Sequence, residues 1–403
     1  MKRSVPFVIP ALVAVYACVP LFPSFITFTS VAFPGVSIVP LPWALAILSL
    51  MVVLCIGGTV ALLAPPREWP PVLTALCGWC GCGLLASVLG FNPHDGIVFT
   101  GILVLGIVWF CTVMRYYAEP GVARAIYWSY VVSGLAACAL AILMVVTRHP
   151  AAQYTIGHGR AIGTFILPGE LAGYLIVFLP LTFALGIVAE KRPLRIAARV
   201  ACALGAIAMV MTFSRTGWMG LASAVAFLAA ARARFRNAAF PVAAGIVAAA
   251  LLLVLLAFNA HHDPSENYTR LSIWQTAAAV IDRFPLTGVG PFGFSRLYAI
   301  LRLPDGDATA FHAHSVYLTV LAELGIVGLS ALVWTFWSFA AELRRRLRVA
   351  RPDAQLLALA IAAGLIGTLV QGLIDTVSVV IFGLWFPTLA LALAAARSGA
   401  GDA

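Results

Sequence analysis

Long apolar stretches, each close to twenty residues, follow one another through almost the whole chain and restrict what it can fold into. About 20 apolar residues in a row is the length that crosses the hydrocarbon core of a bilayer as a helix. Because lipid offers the backbone no hydrogen-bond partner, such stretches must be helical. Only 10% of the 403 residues are charged, whereas soluble domains carry about 25%. The sequence therefore predicts an all-α, polytopic membrane protein.

The predicted spans number about twelve, and together they form one integral membrane domain over residues 1–403. No stretch between them is long enough to hold a soluble core of its own. Their approximate limits are 5–28, 38–64, 70–90, 95–116, 121–147, 163–189, 196–213, 217–233, 238–259, 314–340, 354–374 and 376–396.

The basic residues orient these spans. If both termini lie in the cytoplasm of a bacterium, most of the 25 Lys and Arg residues fall at cytoplasmic ends, as the positive-inside rule requires. The net charge of +10 is then a topology signal, and no nucleic-acid partner is expected. The basic run at 344–348 indicates contact with membrane lipid headgroups. The basic residues left on the outer side are all arginine: Arg148, Arg160, Arg215, Arg270, Arg283, Arg296 and Arg302.

A polar segment, residues 260–312, interrupts the succession of apolar stretches and is predicted to be a large periplasmic loop. A lipid anchor needs no such loop, so we expect chemistry or recognition on this face of the inner membrane.

Within this loop, apolar residues at helical spacing predict an amphipathic helix that lies on the membrane surface. We expect it to begin near Arg270, with Asn267 or Thr269 as its N-cap, and to end before Pro285. Trp274 then lies at headgroup depth. The apolar stripe consists of Leu271, Trp274, Ala278 and Ile281.

Two segments resemble ligand-binding patterns but have simpler interpretations. The glycine-rich stretch at 286–293 either connects two elements or presents N–H groups to a phosphate. The cysteine cluster at 77–82 lies in an apolar span without His or acidic partners, which favours a role in helix packing. No outer cluster has metal-ligand spacing, so we expect neither a metal nor another cofactor.

Three outer positions are candidates for substrate contact. Arg215 divides an apolar stretch, and it is either an anion clamp or part of a tight hairpin whose arginine extends to the headgroups. Arg160 precedes a Pro-Gly pair, which suggests an irregular entry into the span at 163–189. Glu170 follows that pair and could pair with an arginine or accept a proton.

Two histidines lie at the outer end of the tenth span. If the span is helical from His314 onward, His314 shares a face with Tyr317 and Leu321, while His312 lies on a different face. Neutral histidine is a natural proton acceptor for a hydroxyl nucleophile, although a structural interface histidine is the alternative. Asp375, between the last two spans, either lines the same cavity or caps a helix.

Five groups of residues along the chain carry a resemblance to a known family. They are Arg160 with Gly163-Thr164-Phe165, Pro168, Leu171-Ala172 and Leu175; Ser214-Arg215-Thr216-Gly217-Trp218; Arg270-Leu271 and Trp274; Gly288-Val289-Gly290 and Gly293; and His312-Ala313-His314-Ser315 with Tyr317-Leu318, Glu323-Leu324-Gly325 and Gly328. Together they resemble the O-antigen ligase and polymerase superfamily. Where that family often has asparagine, this chain has Ser315 and Gly169-Glu170.

The resemblance implies a fold similar to the GT-C lipid-linked-sugar transferases. It implies transfer of a glycan from undecaprenyl diphosphate to a hydroxyl at the periplasmic face, which for the ligase branch is a lipid A–core sugar, without a metal. It also implies that Arg215, Arg270 and His314 are essential, with Arg160 in support. The further residues that we expect to contact substrate are His312, Tyr317, Trp274, Glu170, Arg296 and Asp375.

Other functions make different demands on the sequence. An O-antigen polymerase of the same superfamily shares nearly all these residues. A protein O-oligosaccharyltransferase usually carries an added outer domain after the spans, whereas this sequence stops at Ala403. A transporter is disfavoured, because its charges are expected near the bilayer midplane.

Overall fold

The computed structural model describes residues 68–119, 121–149, 151–163, 165, 167–233, 265–303, 310, 312–375 and 380–397. The predicted spans at 5–28, 38–64 and 238–259 lie outside these residues. Within the described ranges the regular structure is entirely helical, which confirms the all-α prediction. The helices are α1 (Pro71–Leu89), α2 (Pro93–Tyr116), α3 (Val122–Thr147), α4 (Ala151–Ile156), α5 (Pro168–Val188), α6 (Arg192–Met211), α7 (Arg215–Ala233), α8 (Ser265–Arg283), α9 (Gly293–Leu301), α10 (Val316–Leu347), α11 (Pro352–Gln371) and α12 (Val380–Ala395).

Seven of the described helices are long and apolar enough to cross a membrane: α1, α2, α3, α5, α6, α10 and α11. The prediction of an integral membrane protein is therefore supported. The predicted spans at 217–233 and 376–396 also form helices, α7 and α12. The total of about twelve spans stays a prediction.

Prolines at the first or second position begin α1, α2, α5, α6 and α11. Proline suits this position because its missing N–H has no partner there in any helix. In α5 the helix begins regularly at Pro168, so the span predicted from 163 starts too early. Before it, Ala161, Ile162 and Phe165 lie outside any helix and are almost inaccessible, whereas Leu167 is exposed.

Helix α11 is the centre of the bundle and packs against α5, α7 and α12. Glycines make these contacts close: a Cβ on Gly364 would lie 2.7 Å from the Cα of Val177, and one on Gly367 would lie 2.5 Å from the carbonyl oxygen of Gly220. Around this centre, α5 contacts α6, α6 contacts α3, and α12 contacts α2, while α1 packs on α10. Close approach through small residues is typical of membrane helices.

Helix α10 is broken at Gly325, whose φ of 64° is not helical. The loop that follows α8 enters this break. Val289 N–H donates to the carbonyl of Ala322 and Gly290 N–H to that of Glu323, both at 2.9 Å. In return, Ile326 N–H donates to the Pro285 carbonyl at 2.9 Å. The glycine-rich loop is therefore a connection docked on α10, and the N–H of Gly290 is already used.

The amphipathic helix is α8, and it differs from the prediction at its start. It begins at Ser265, so Asn267 and Thr269 lie inside the helix and neither is its N-cap. Leu271 and Ala278 of the predicted stripe are exposed.

A second face of α8 is fully buried. Its Ile273, Ala277 and Val280 form a small core with residues of α9 and the loops around it. This core attaches α8 to α9 and α10.

Candidate functional site

His314 lies just before α10, in left-handed backbone with φ 46°. The helix begins at Val316, and Ser315 is its N-cap, with the side chain accepting from Leu318 N–H. The prediction that His314 starts the helix and shares a face with Tyr317 and Leu321 is therefore wrong. Serine and asparagine are both strong N-caps, so Ser315 meets the same local need as the asparagine usual in the family.

His312 and His314 lie side by side, with ring centroids 4.5 Å apart and nearly edge to face. A helix through both residues would place them on different faces, as predicted from the sequence. The segment is not helical, and the two rings are in contact instead. The backbone N–H of His314 donates to Nδ1 of His312 at 3.2 Å. Burial, followed by the nearby His314 and Arg270, lowers the pKa of His312 to about 3. His312 is therefore neutral at pH 7, with Nδ1 already accepting a hydrogen bond.

Asp375 is the acidic group that faces His314. Its Oδ1 lies 4.0 Å from Nδ1 of His314, and its Oδ2 accepts from Oγ1 of Thr216 at 3.3 Å. Gly169 makes room for this carboxylate, because a Cβ there would lie 2.7 Å from Oδ2. The structure thus places Asp375 beside His314, and that it lines a substrate cavity stays a prediction.

Hydrogen bonds to backbone carbonyls hold the ends of three helices together around this pair. Val316 N–H donates to the Gly372 carbonyl at 2.8 Å, which joins the start of α10 to the end of α11. The Tyr317 hydroxyl donates to the Leu369 carbonyl at 3.0 Å. The Gln371 side chain donates to the Gly169 carbonyl at 3.0 Å and so adds the start of α5. The Tyr317 hydroxyl thus serves as a tie between α10 and α11.

Arg215 is the first residue of α7 and immediately precedes Thr216, the partner of Asp375. The connection from α6 is short and turns at Phe213, whose φ is 47°. Ser214 accepts from Gly217 N–H at 3.2 Å. The backbone is thus a tight hairpin, as one interpretation held, and Arg215 adjoins Thr216, the residue that donates to Asp375.

Three other predicted residues approach the same region. Ala161 N–H donates to the Met211 carbonyl at 2.8 Å, which places Arg160 beside the end of α6. The Nε atom of Arg160 is buried and has no hydrogen-bond partner among the described residues. Glu170 is buried in the first turn of α5, next to Gly169. Arg270 lies close enough to His312 to act on its pKa.

Within the described part of the chain, no hydrogen bond or ion pair joins Arg296 or Trp274 to this cluster. Arg296 forms an ion pair with Asp95 of α2 at 3.2 Å, so it holds α9 to α2. Asp95 is buried and is also contacted by Asn92 and His94. Trp274 lies on α8 with its Nε1 atom buried and without a hydrogen-bond partner there.

Sequence analysis did not assign a role to Thr216, Gly169 or Gln371. Ser214 and Thr216 flank Arg215, and hydroxyl residues at a helix start are a recognisable capping signal. Their link to Asp375 could not be read from the sequence, because the partners are far apart along the chain.

The cluster can hold an anion and move a proton. Arginine forms two parallel hydrogen bonds to phosphate and stays charged. A histidine beside a carboxylate can accept a proton and be stabilised once charged. In the part of the chain that is described, no three His, Cys, Asp or Glu side chains converge.

Comparison with known proteins gives one finding that bears on identity. No curated protein matches the chain. Residues 200–333 match the family model described as O-Antigen ligase. The matched range runs from α6 into α10 and contains Arg215, Arg270 and His314. The resemblance noted in the motifs is thereby confirmed, and residues 200–333 carry a domain of the O-antigen ligase family.

Proposed function

We propose that the protein is an O-antigen ligase. It transfers O-antigen polysaccharide from undecaprenyl diphosphate to a sugar hydroxyl of lipid A–core, at the periplasmic face of the bacterial inner membrane. The observation that carries this proposal is the pair of His314 and Asp375, which Thr216, the neighbour of Arg215, contacts, with Arg270 near the adjoining His312. The matched family range supports the class of reaction.

In this proposal His314 is the general base. The acceptor hydroxyl attacks the anomeric carbon and gives its proton to Nε2 of His314. Asp375 faces Nδ1 and stabilises the imidazolium that forms. His312 is the poorer base, because its pKa is lowered to about 3 and its Nδ1 already accepts a hydrogen bond. General-base help contributes about 10²–10⁴ in rate.

The arginines stabilise the leaving group. As the bond between the anomeric carbon and the diphosphate oxygen breaks, the electron pair stays on the diphosphate. Arg215 and Arg270 bind this growing charge, and Arg160 supports them. Fixed cations in a site that excludes water stabilise such a charge more than water does. Attack opposite the diphosphate inverts the anomeric centre, and holding two lipid-anchored substrates together supplies further rate.

An O-antigen polymerase is the second candidate, because the matched family range is compatible with both activities. Lipopolysaccharide from a strain that lacks the gene distinguishes the two. Loss of all long chains on lipid A, with lipid-linked polymer accumulating, supports the ligase. A surviving band with a single repeat indicates the polymerase and contradicts our proposal.

Purified protein with donor and acceptor tests the residue roles. His314→Ala should reduce transfer at saturating donor by about 10²–10⁴, while His312→Ala keeps a substantial fraction. The exposed His149 supplies the matched control, and His149→Ala should transfer normally. If His314→Ala binds donor poorly but transfers normally once donor saturates, His314 is a substrate contact and Glu170 becomes the next candidate base.

A further inference from the structure

A separate cavity of about 770 Å³ lies toward the end of α10 that is farthest from His314. It forms because α10 and α11, although consecutive, pack against different partners. Helix α11 packs on α5 and α7, whereas α10 packs on α1. The space between them is closed on a third side by α7, through residues such as Phe227.

The walls of this cavity are apolar except at one end. Phe339 and Leu343 of α10 face Leu359 and Leu365 of α11 across it. The exceptions are Arg344 and Arg348, which also line the cavity. Arg344 lies in the last turn of α10 and Arg348 is its C-cap residue in helical conformation, so the two, four residues apart, lie on the same side of the helix. A cavity with this lining suits hydrocarbon chains that end in an anionic group.

Among the residues that the structure describes, the two arginines of the cavity differ from their neighbours in having no acidic partner. Arg345 and Arg346 both pair with Glu342, at 2.7 Å and 2.6 Å. Neither Arg344 nor Arg348 has a carboxylate within ion-pair distance in the described ranges. Two such cations at the mouth of an apolar cavity attract an anion, which in a membrane is a lipid phosphate.

We propose that this cavity is a binding site for one anionic phospholipid. Its acyl chains fill the space between α7, α10 and α11, and its phosphate lies between Arg344 and Arg348. The donor of the glycan transfer is not the expected occupant, because its diphosphate must lie beside His314, at the other end of α10. The lipid therefore comes from the leaflet on the Arg344 side.

Native mass spectrometry of the delipidated full-length protein in detergent tests the site. The probes are phosphatidylglycerol, phosphatidylcholine and a polyprenyl phosphate, added one at a time. The wild type should bind one phosphatidylglycerol at least 10-fold more tightly than phosphatidylcholine. The double variant Arg344→Gln/Arg348→Gln should lose about 10-fold or more of this affinity, given the attraction that each arginine near a membrane surface adds.

Two further variants make the result specific. Ala340 lines the cavity and is exposed, so Ala340→Phe should fill the space and weaken binding without changing the arginines. Arg192→Gln/Arg351→Gln removes the same charge from exposed positions outside the cavity and should bind within about twofold of wild type.

Several results would overturn the proposal. One is equal binding of phosphatidylglycerol and phosphatidylcholine to the wild type, and another is equal affinity in the two double variants. Undiminished binding in Ala340→Phe would place the lipid on the surface instead of in the cavity. Tighter binding of polyprenyl phosphate than of phosphatidylglycerol would assign the cavity to the lipid-linked substrate.

Discussion

Replacing Asp375 with asparagine keeps the shape of the side chain but removes the charge that faces His314. The amide oxygen of the new side chain can still accept a hydrogen bond from Thr216, so the local packing should persist. What changes is the stability of His314 once it has taken up the acceptor's proton. The Asp375→Asn variant therefore isolates the electrostatic part of the proposed mechanism.

The size of the effect follows from the distance and the exposure of the pair. Oδ1 of Asp375 lies 4.0 Å from Nδ1 of His314, and the side chains are 18% and 27% exposed. At about 4 Å, unit charges attract by about 1 kcal/mol in water and about 4 kcal/mol at an effective dielectric constant of 20. A partly buried pair falls between these limits. Since 1.36 kcal/mol is a factor of ten in rate, we expect kcat to fall by about 10- to 100-fold.

The assay is transfer by purified protein with both substrates saturating, so that kcat and KM are separated. Asp375→Asn should lower kcat and leave the KM for donor within about threefold, because the charge acts mainly in the transition state. Asp375→Glu, which restores the charge, should recover part of the rate. Asp353→Asn, at the exposed start of α11, is the control and should transfer like wild type.

Two outcomes would refute this reasoning. A loss in kcat below about threefold would show that the Asp375 charge does not stabilise the reacting histidine. An effect confined to the KM for donor would make Asp375 a substrate contact instead.

Three further predictions test other parts of the structure. Arg215→Lys and Arg270→Lys should each lose most activity, because a point charge cannot replace the two parallel hydrogen bonds of arginine. Arg283→Lys, at the exposed end of α8, is the control and should be active. Full activity in both site variants would contradict the proposed binding of the diphosphate by these arginines. Gly325→Ala should destabilise the protein by about 2 kcal/mol or more, because φ is 64° and the new Cβ would clash with the Leu286 carbonyl. Gly81 has open space around it, so the control variant Gly81→Ala should not lower Tm. The pKa of His312 is lowered to about 3 in the folded protein. Its contribution to stability is therefore complete above the ordinary pKa of 6.5 and is lost progressively as pH falls below it, because the unfolded chain takes up the proton first. Tm should fall less between pH 7 and 5 in His312→Asn than in wild type, and an equal fall in both would contradict the lowered pKa of His312.

The helices were predictable because apolar runs and N-terminal prolines are local signals. Pro93, Pro168 and Pro352 each stand close to a predicted span start and begin a helix. The error at the start of α5 has a physical cause: Ala161, Ile162 and Phe165 are buried although they lie outside any helix. Hydropathy reports burial, and it does not separate a helix from a buried loop.

The candidate site was predictable in its residue types but not in its geometry. Arginine and histidine on the outer side point to anion binding and proton transfer wherever they lie along the chain. The pairing of His314 with Asp375 depends on how the start of α10 meets the end of α11. The contact between the two histidine rings depends on Ser315 capping the helix one residue after His314. Neither follows from residue spacing.

The break at Gly325 divides α10 into two helical segments with different roles. The residues after it, 326–347, form a helix of about 33 Å, which already matches the hydrocarbon thickness of about 30 Å. The residues before it, 316–324, add about 13 Å that no bilayer crossing requires. In the proposed arrangement, this short extension carries His314 beyond the hydrocarbon to the depth of phosphates and sugars, and the break lets it adopt its own direction. The membrane anchor and the chemical group therefore share one continuous stretch of chain, yet each is positioned by different neighbours.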